Sequence, residues 1–144
     1  MRVRRVYQSA ELVQFEKNKT MVLQKSAHRH VTTVLRLKLG DVLQVFDGIG
    51  HEYQAEIIAS DKKTTTIKWL DAITVCNESP LNIHLLQGIS RTEKMEWVIQ
   101  KSVELGVAEI TPLFTEHCQP TLSGPRLEKR LLRWREIIIS ASEQ

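Results

Sequence analysis

The stretch from Gln87 to Cys118 constrains the fold most, because it reads as strand, helix, strand with both helix ends marked. Ser90-Arg91-Thr92-Glu93 fits a capping box, in which Ser90 accepts from the third helical amide and Glu93 reaches back. Met95, Val98, Ile99 and Val103 follow at three-four spacing, and Gly106 supplies the stop. Leu81 to Ile89 and Val107 to Phe114 are the apolar strands on either side. A second helical pattern starts near Ser123-Gly124-Pro125 and lines up Leu127, Leu131, Trp134, Ile138 and Ala141 on one face. The order strand, helix, strand, helix requires a parallel pair with a right-handed crossover. Two strands and two helices cannot cover both faces of a parallel sheet, so the pattern predicts either further strands beyond Gln144, the preferred reading, or cover from another chain.

The first half has a different rhythm. Thr20 to Gln24 is a short strand candidate, and Ser26 is placed to cap a helix over Ala27 to Leu37 with Val31, Val34 and Leu35 as its apolar stripe. Gly40-Asp41 turns the chain into Val42 to Phe46, which alternates apolar and polar residues. Asp47-Gly48-Ile49-Gly50 is a turn signal before two Thr- and Ile-rich strands, His51 to Ala59 and Thr64 to Leu70, with Lys62-Lys63 at the tip between them. Short strands with one helix fit a small barrel. The expectation is an α+β chain: a barrel over residues 1–72, a linker over 73–80 around Cys76-Asn77-Glu78-Ser79-Pro80, and the start of an α/β domain over 81–144.

The net charge of +3 is unevenly spread. Residues 1–38 hold nine Lys and Arg against two acids, whereas residues 73–144 hold eight against nine. A basic first third predicts a polyanion-binding surface, with Arg2, Arg4, Arg5, Arg29, His30, Arg36 and Lys38 as its candidate residues. Charges that never converge on one surface are the other possibility. No apolar run is long enough for a membrane-crossing helix, and the basic start lacks the apolar core of a secretory signal. Cys76 and Cys118 have no C-x-x-C partner and read as reduced thiols, which fits a cytoplasmic protein.

Candidate chemistry is concentrated at one junction. Arg91 and Lys94 lie where the strand ends and the helix begins, the place where open α/β sheets bind ligands. Two cations and free helix amides there would receive a phosphate or a base. A solvated helix face with a Lys101–Glu104 pair accounts for the same residues without any ligand. His28-Arg29-His30 lacks the further ligands that zinc requires, and His51, His84 and His117 stand alone. His84, in an apolar strand, is expected to be a satisfied core residue. No P-loop, G-x-G-x-x-G or G-x-S-x-G is present, and no metal site is expected.

Several strings together resemble one bacterial family. They are Lys94-Met95-Glu96-Trp97, Ile99-Gln100-Lys101, Val103-Glu104-Leu105-Gly106-Val107 and Ile110-Thr111-Pro112-Leu113. Arg2, Arg5 and Tyr7 at the start, His30 with Val34-Leu35-Arg36-Leu37 and Gly40, and Val45-Phe46-Asp47-Gly48 extend the likeness through the first half. Arg133-Trp134, Ala141 and Glu143-Gln144 extend it to the last residues. The family is the ribosomal RNA small-subunit methyltransferase E family, of the SPOUT class, which methylates N3 of a uridine. The resemblance implies a PUA-like barrel that binds RNA, then an α/β domain whose C-terminal trefoil knot binds S-adenosylmethionine, working as a homodimer on small-subunit ribosomal RNA. The family's Gly-Pro-Glu-Gly-Gly loop has no counterpart here, so the knot and any cofactor-binding residues are expected to be absent from this chain. Under this reading Arg91 and Lys94 are the candidate catalytic residues. The rival is a non-enzymatic RNA-binding module with a helical extension.

Overall fold

Among the described residues, eleven elements follow one another. They are β1 (Arg5–Tyr7), β2 (Thr20–Val22), α1 (Lys25–Arg29), a π-helix (His30–Val34), β3 (Val42–Phe46), β4 (Glu52–Ser60), β5 (Thr65–Ile73), β6 (His84–Gly88), α2 (Thr92–Glu104), β7 (Glu109–Leu113) and α3 (Gly124–Ser142). The structure is a computed structural model, and it describes residues 4–74, 79–116 and 123–144. Arg2, Cys76, His117 and Cys118 therefore lie outside the described residues. Contacts divide the chain into one unit of Met1–Cys76 with Glu143 and another of Asn77–Ser142 with Gln144. No described helix is long and apolar enough to cross a membrane.

The first unit is built on the β4–β5 hairpin, whose tip is held by Asp61: its Oδ1 accepts from the amides of Lys63 at 2.6 Å and Thr64 at 2.7 Å. The sheet runs β1-β3-β4-β5-β2, with β1 parallel to β3 and the other pairs antiparallel. Val6, Leu43, Val45, Ala55, Ile57, Ile67 and Trp69 pack with Leu23, Ala27, Val31 and Leu37 into the core. The alternation read in the sequence is thus one sheet face turned inward.

The closed barrel expected from the sequence is not formed. β1 and β2 are the two edges of the sheet and do not pair with each other. Each is three residues long, too short to carry a ladder around the cylinder. Glutamine side chains bridge the gap instead: the Gln24 amide donates to Gln8 Oε1 at 3.0 Å, and Gln24 Nε2 donates to Tyr7 O at 3.4 Å.

The helix expected over Ala27 to Leu37 also differs. It begins at Lys25 with Gln24 as an N-cap that makes no side-chain bond, so Ser26 is not the cap. After Arg29 it widens into the π-helix, in which the Leu35 amide donates to His30 O at 2.9 Å. The β-branched run Val31-Thr32-Thr33-Val34 is a poor α-helix former, and Thr32 Oγ1 donates back to His28 O at 2.9 Å. Both favour a departure from α geometry.

In the second unit β6 and β7 pair in parallel, with α2 between them in sequence, as the order of elements required. Met95, Ile99, Ile89 and Trp134 make its buried cluster, joined by Ile110, Leu127 and Ile137. Leu131 and Ile138, expected on the buried face of α3, remain exposed. The capping box is not made. The N-cap of α2 is Arg91 rather than Ser90, so the Ser90 hydroxyl falls one residue out of register, and no side-chain cap bond forms. Gly106 ends the helix at φ 77°, as the stop signal predicted. His84 is an exposed strand residue and not a core one, with Nε2 2.8 Å from Thr111 Oγ1 on the neighbouring strand.

Candidate nucleic-acid interface

Residues 25–38 present a one-sided distribution of charge. Ala27, His28, Val31 and Leu37 are buried, and His28 Nδ1 meets Thr65 Oγ1 at 2.8 Å. Lys25 and Arg29, four apart on α1, share its exposed face. Arg36 and Lys38 flank the buried Leu37 and are both exposed. Arg36 adopts φ 53°, a left-handed conformation that a branched side chain avoids. It is fixed there from both sides: the Leu35 amide bonds His30 O, and the Leu37 amide bonds Val31 O at 3.0 Å. Among the described residues, none of Lys25, Arg29, Arg36 and Lys38 has a side-chain ion pair.

The other basic residues of this unit are engaged. Arg4 lies 3.2 Å from Asp41, and Lys17 2.5 Å from Asp71. Arg5 pairs with Glu52 and sits 4.7 Å over the Phe46 ring, and Lys19 pairs with Glu16. The Lys38 amide donates to Asp41 Oδ2 at 2.8 Å. That bond, with Arg4, holds the Asp41 carboxyl below its ordinary range. His30 is mostly buried, with Nδ1 2.9 Å from Glu143 Oε2, whose other oxygen accepts from the Tyr7 amide at 3.1 Å. Burial pushes the Glu143 carboxyl up, against those two partners. His30 is therefore held by Glu143, whereas Lys25, which reasoning from the sequence passed over, is exposed beside Arg29. Its spacing four residues before Arg29 was the available signal.

In the second unit Arg91 and Lys94 are exposed, and among the described residues neither has an ion-pair partner. Beside them, Ser90 Oγ is buried with no hydrogen-bond partner among the described residues. Other charged residues of the helices are paired. Lys101 Nζ lies 2.5 Å from Glu104, which also accepts from Gln100, and Arg133 bonds Glu96 at 3.1 Å. Lys101 and Gln100 hold the Glu104 carboxyl low. The ion pair of the solvated-face reading is present at Lys101 and Glu104, and Arg91 and Lys94 are exposed as either reading requires. Among the described residues no group of three His, Cys, Asp or Glu is arranged to hold a metal.

Comparison with known proteins matches both units. Residues 77–144 match the model of an RNA methyltransferase domain, and residues 23–68 that of an RNA methyltransferase PUA domain. A ribosomal RNA small subunit methyltransferase E from Buchnera aphidicola is 40% identical over 127 residues, covering 88% of this chain and 50% of that protein. A methyltransferase from Legionella pneumophila, solved with the bound cofactor SAM, superposes with a TM-score of 0.92 at 41% identity, over 100% of this chain and 58% of that one. The Neisseria gonorrhoeae ribosomal RNA small subunit methyltransferase E, bound to S-adenosyl methionine, gives 0.91 at 39% identity, over 99% and 57%. The chain thus spans about half the length of the curated relatives it matches. Two domain models in the order of the two units, and relatives of one kind, lead to one conclusion: both units of this chain are similar to ribosomal RNA small subunit methyltransferase E proteins.

Proposed function

We propose that this chain is the RNA-binding unit and the opening part of the catalytic, SPOUT-class unit of a methyltransferase that modifies N3 of a uridine in small-subunit ribosomal RNA. In this reading residues 1–72 grip RNA, 73–80 connect, and 81–144 begin the catalytic domain of a homodimeric enzyme. The observation that carries the RNA part is the set of four exposed cations, Lys25, Arg29, Arg36 and Lys38, without an ion pair among the described residues and inside the stretch matched to the RNA methyltransferase PUA model. Phosphate contacts of this kind supply affinity and orientation rather than sequence choice. No specific observation favours the non-enzymatic module.

S-adenosylmethionine is the methyl donor that the relatives' bound cofactor supports. A ligand of that size needs enclosure on most sides. The described β6–β7 pair does not provide it, because Leu86 within β6 and Phe114 just after β7 are 61% and 56% exposed. The orphaned Ser90 hydroxyl is one polar contact and not a pocket. The work assigned to this chain is therefore on the RNA side. Uracil N3 lies on the Watson–Crick edge and carries a proton, so the base must leave its pair and lose that proton to react. Arg91 and Lys94 would hold an adjacent phosphate or stabilise the negative charge that develops on the ring.

The test separates the two sets of cations. Replacing Lys25, Arg29, Arg36 and Lys38 with Ala should weaken binding to a small-subunit rRNA fragment and reduce the salt slope by about 3 to 4. Replacing Arg4 and Arg5 should change that slope by less than about 1, since their charges are neutralised by Asp41 and Glu52. An unchanged slope in the first variant would sink the assignment. In active protein containing this sequence, Lys94→Ala should lower methyl transfer at least about tenfold, with the melting temperature within about 2 °C. A lower melting temperature with normal turnover would return Lys94 to a structural role.

A further inference from the structure

The loop between β3 and β4 carries a histidine that the function described so far does not use. Asp47 directly follows β3, and its carboxylate is buried although the loop is exposed. Its Oδ1 accepts from the amides of Ile49 at 2.9 Å and His51 at 3.1 Å, and its Oδ2 takes His51 Nδ1 at 2.7 Å. Gly48 and Gly50, at φ 78° and 109°, let the backbone wrap this carboxylate. A Cβ at Gly48 would meet the Tyr7 ring at 3.0 Å, so the turn is also packed from beneath.

The imidazole that results is both locked and open. Its side chain is 61% exposed, yet Asp47 fixes one nitrogen and Tyr53 lies along the ring, at 6.4 Å between centroids and 27° between planes. Tyr53 stacks in turn on Phe15 at 4.6 Å and 18°. Both Tyr53 and Phe15 rest edge-on against the buried Trp69, at 5.5 Å and 5.9 Å. A row of three near-parallel rings therefore leans on the core, and His51 is its outermost member. In the neutral ring the carboxylate holds the proton on Nδ1, which leaves Nε2 outward as an acceptor.

We propose that His51 is a stacking platform for an unpaired nucleobase of the bound RNA. The inference rests on the RNA reading above and names a contact that the phosphate-binding cations do not make. Three features favour a base over other occupants. An exposed ring that is already immobilised loses little freedom when a second ring stacks on it. Among the described residues no two further ligands stand near it to build a metal site. Stacking is tolerant of base identity, which suits a unit whose other contacts go to phosphates.

The test uses the 144-residue chain and single-stranded RNA oligonucleotides carrying 2-aminopurine, whose fluorescence falls on stacking. His51→Ala should weaken binding about tenfold and abolish the quenching. His51→Phe should restore both to within about twofold of the unsubstituted protein, because a ring is all the platform needs. Asp47→Asn should fall between the two, having a ring that is present but no longer held. On an oligonucleotide of abasic residues, His51→Ala and the unsubstituted protein should bind alike. Equal affinity and equal quenching for His51→Ala on the base-containing RNA overturns the platform alone. A loss that is as large on the abasic oligonucleotide also overturns it, by making His51 a backbone contact. Absence of binding by the unsubstituted protein to any of these RNAs overturns the RNA reading, and the platform with it.

Discussion

The two units solve the problem of burial differently. In the first, among the described residues, ten buried apolar side chains from strands, α1, the π-helix and the adjoining loops cluster with Trp69, and the aromatic row of Tyr53 and Phe15 packs against it. In the second, the buried cluster among the described residues is four, and Leu86, Trp97, Leu105, Phe114 and Leu132 are exposed. Apolar area removed from water is the main favourable term in folding. The first unit is thus sufficient in its own core, whereas the second keeps a large share of its apolar surface in contact with solvent. The difference also divides the polar groups. The first unit uses its carboxylates to shape loops, at Asp41, Asp47 and Asp61. The second uses them to pair with helix cations, at Glu96 and Glu104.

The strongest way to break this comparison is through the two buried tryptophans. Trp69→Ala should cost about 3–5 kcal/mol and unfold much of the first unit, because the rings around it cannot collapse into the space. Trp134→Ala should fall at or below about 3 kcal/mol, since Leu127, Ile110 and Ile137 beside it are only half-buried and free to relax. Urea unfolding followed by residue-resolved amide signals measures both. An equal or larger loss at Trp134 would mean that the second core is as demanding as the first.

Acid sharpens the contrast next. Burial raises the Asp47 carboxyl, but the amides of Ile49 and His51 and the His51 ring outweigh it, so the group is held below its ordinary range. A depressed folded value contributes stability that is present above the unfolded value of about 3.9 and is lost as pH falls through the folded one. The first unit should lose stability below about pH 4, and Asp47→Asn should flatten that part of the profile. In the second unit Glu104 is also held low by Lys101 and Gln100, but on an exposed helix face where solvent screens the pair. Its Gln variant should leave the acid limb almost unchanged. Unfolding curves at a series of pH values would show whether the two variants separate in this order.

The smallest effect is expected where the second unit is most open. Trp97 is 62% exposed, so Trp97→Ser should shift stability by no more than about 0.5 kcal/mol despite the size of the side chain. A shift of about 2 kcal/mol or more would reveal that Trp97 is covered in solution, and the two units would then be more alike than their buried clusters imply.

Periodicity alone determined much of this. The three-four spacing of Met95 and Ile99 defined the buried face of α2, Gly106 marked its end, and the alternation in Val42 to Phe46 defined the inward face of β3. Such features are local, and short-range geometry suffices to specify them. The family strings were legible as well, and they named the kind of RNA chemistry to look for. Other features depended on residues far apart in the chain. Which cations are free followed from where Asp41, Glu52 and Asp71 came to rest, so Arg4, Arg5 and Lys17 were neutralised while Arg29, Arg36 and Lys38 were not. The open sheet edge between β1 and β2 followed from strand pairing, a long-range choice that short strands cannot announce. His51 is the clearest case. As a lone histidine after a turn it drew no notice, although Tyr53, two residues on, shares its side of an extended chain. Only the fold set Phe15 on Tyr53 and both rings against Trp69, because those contacts join residues that no local spacing relates.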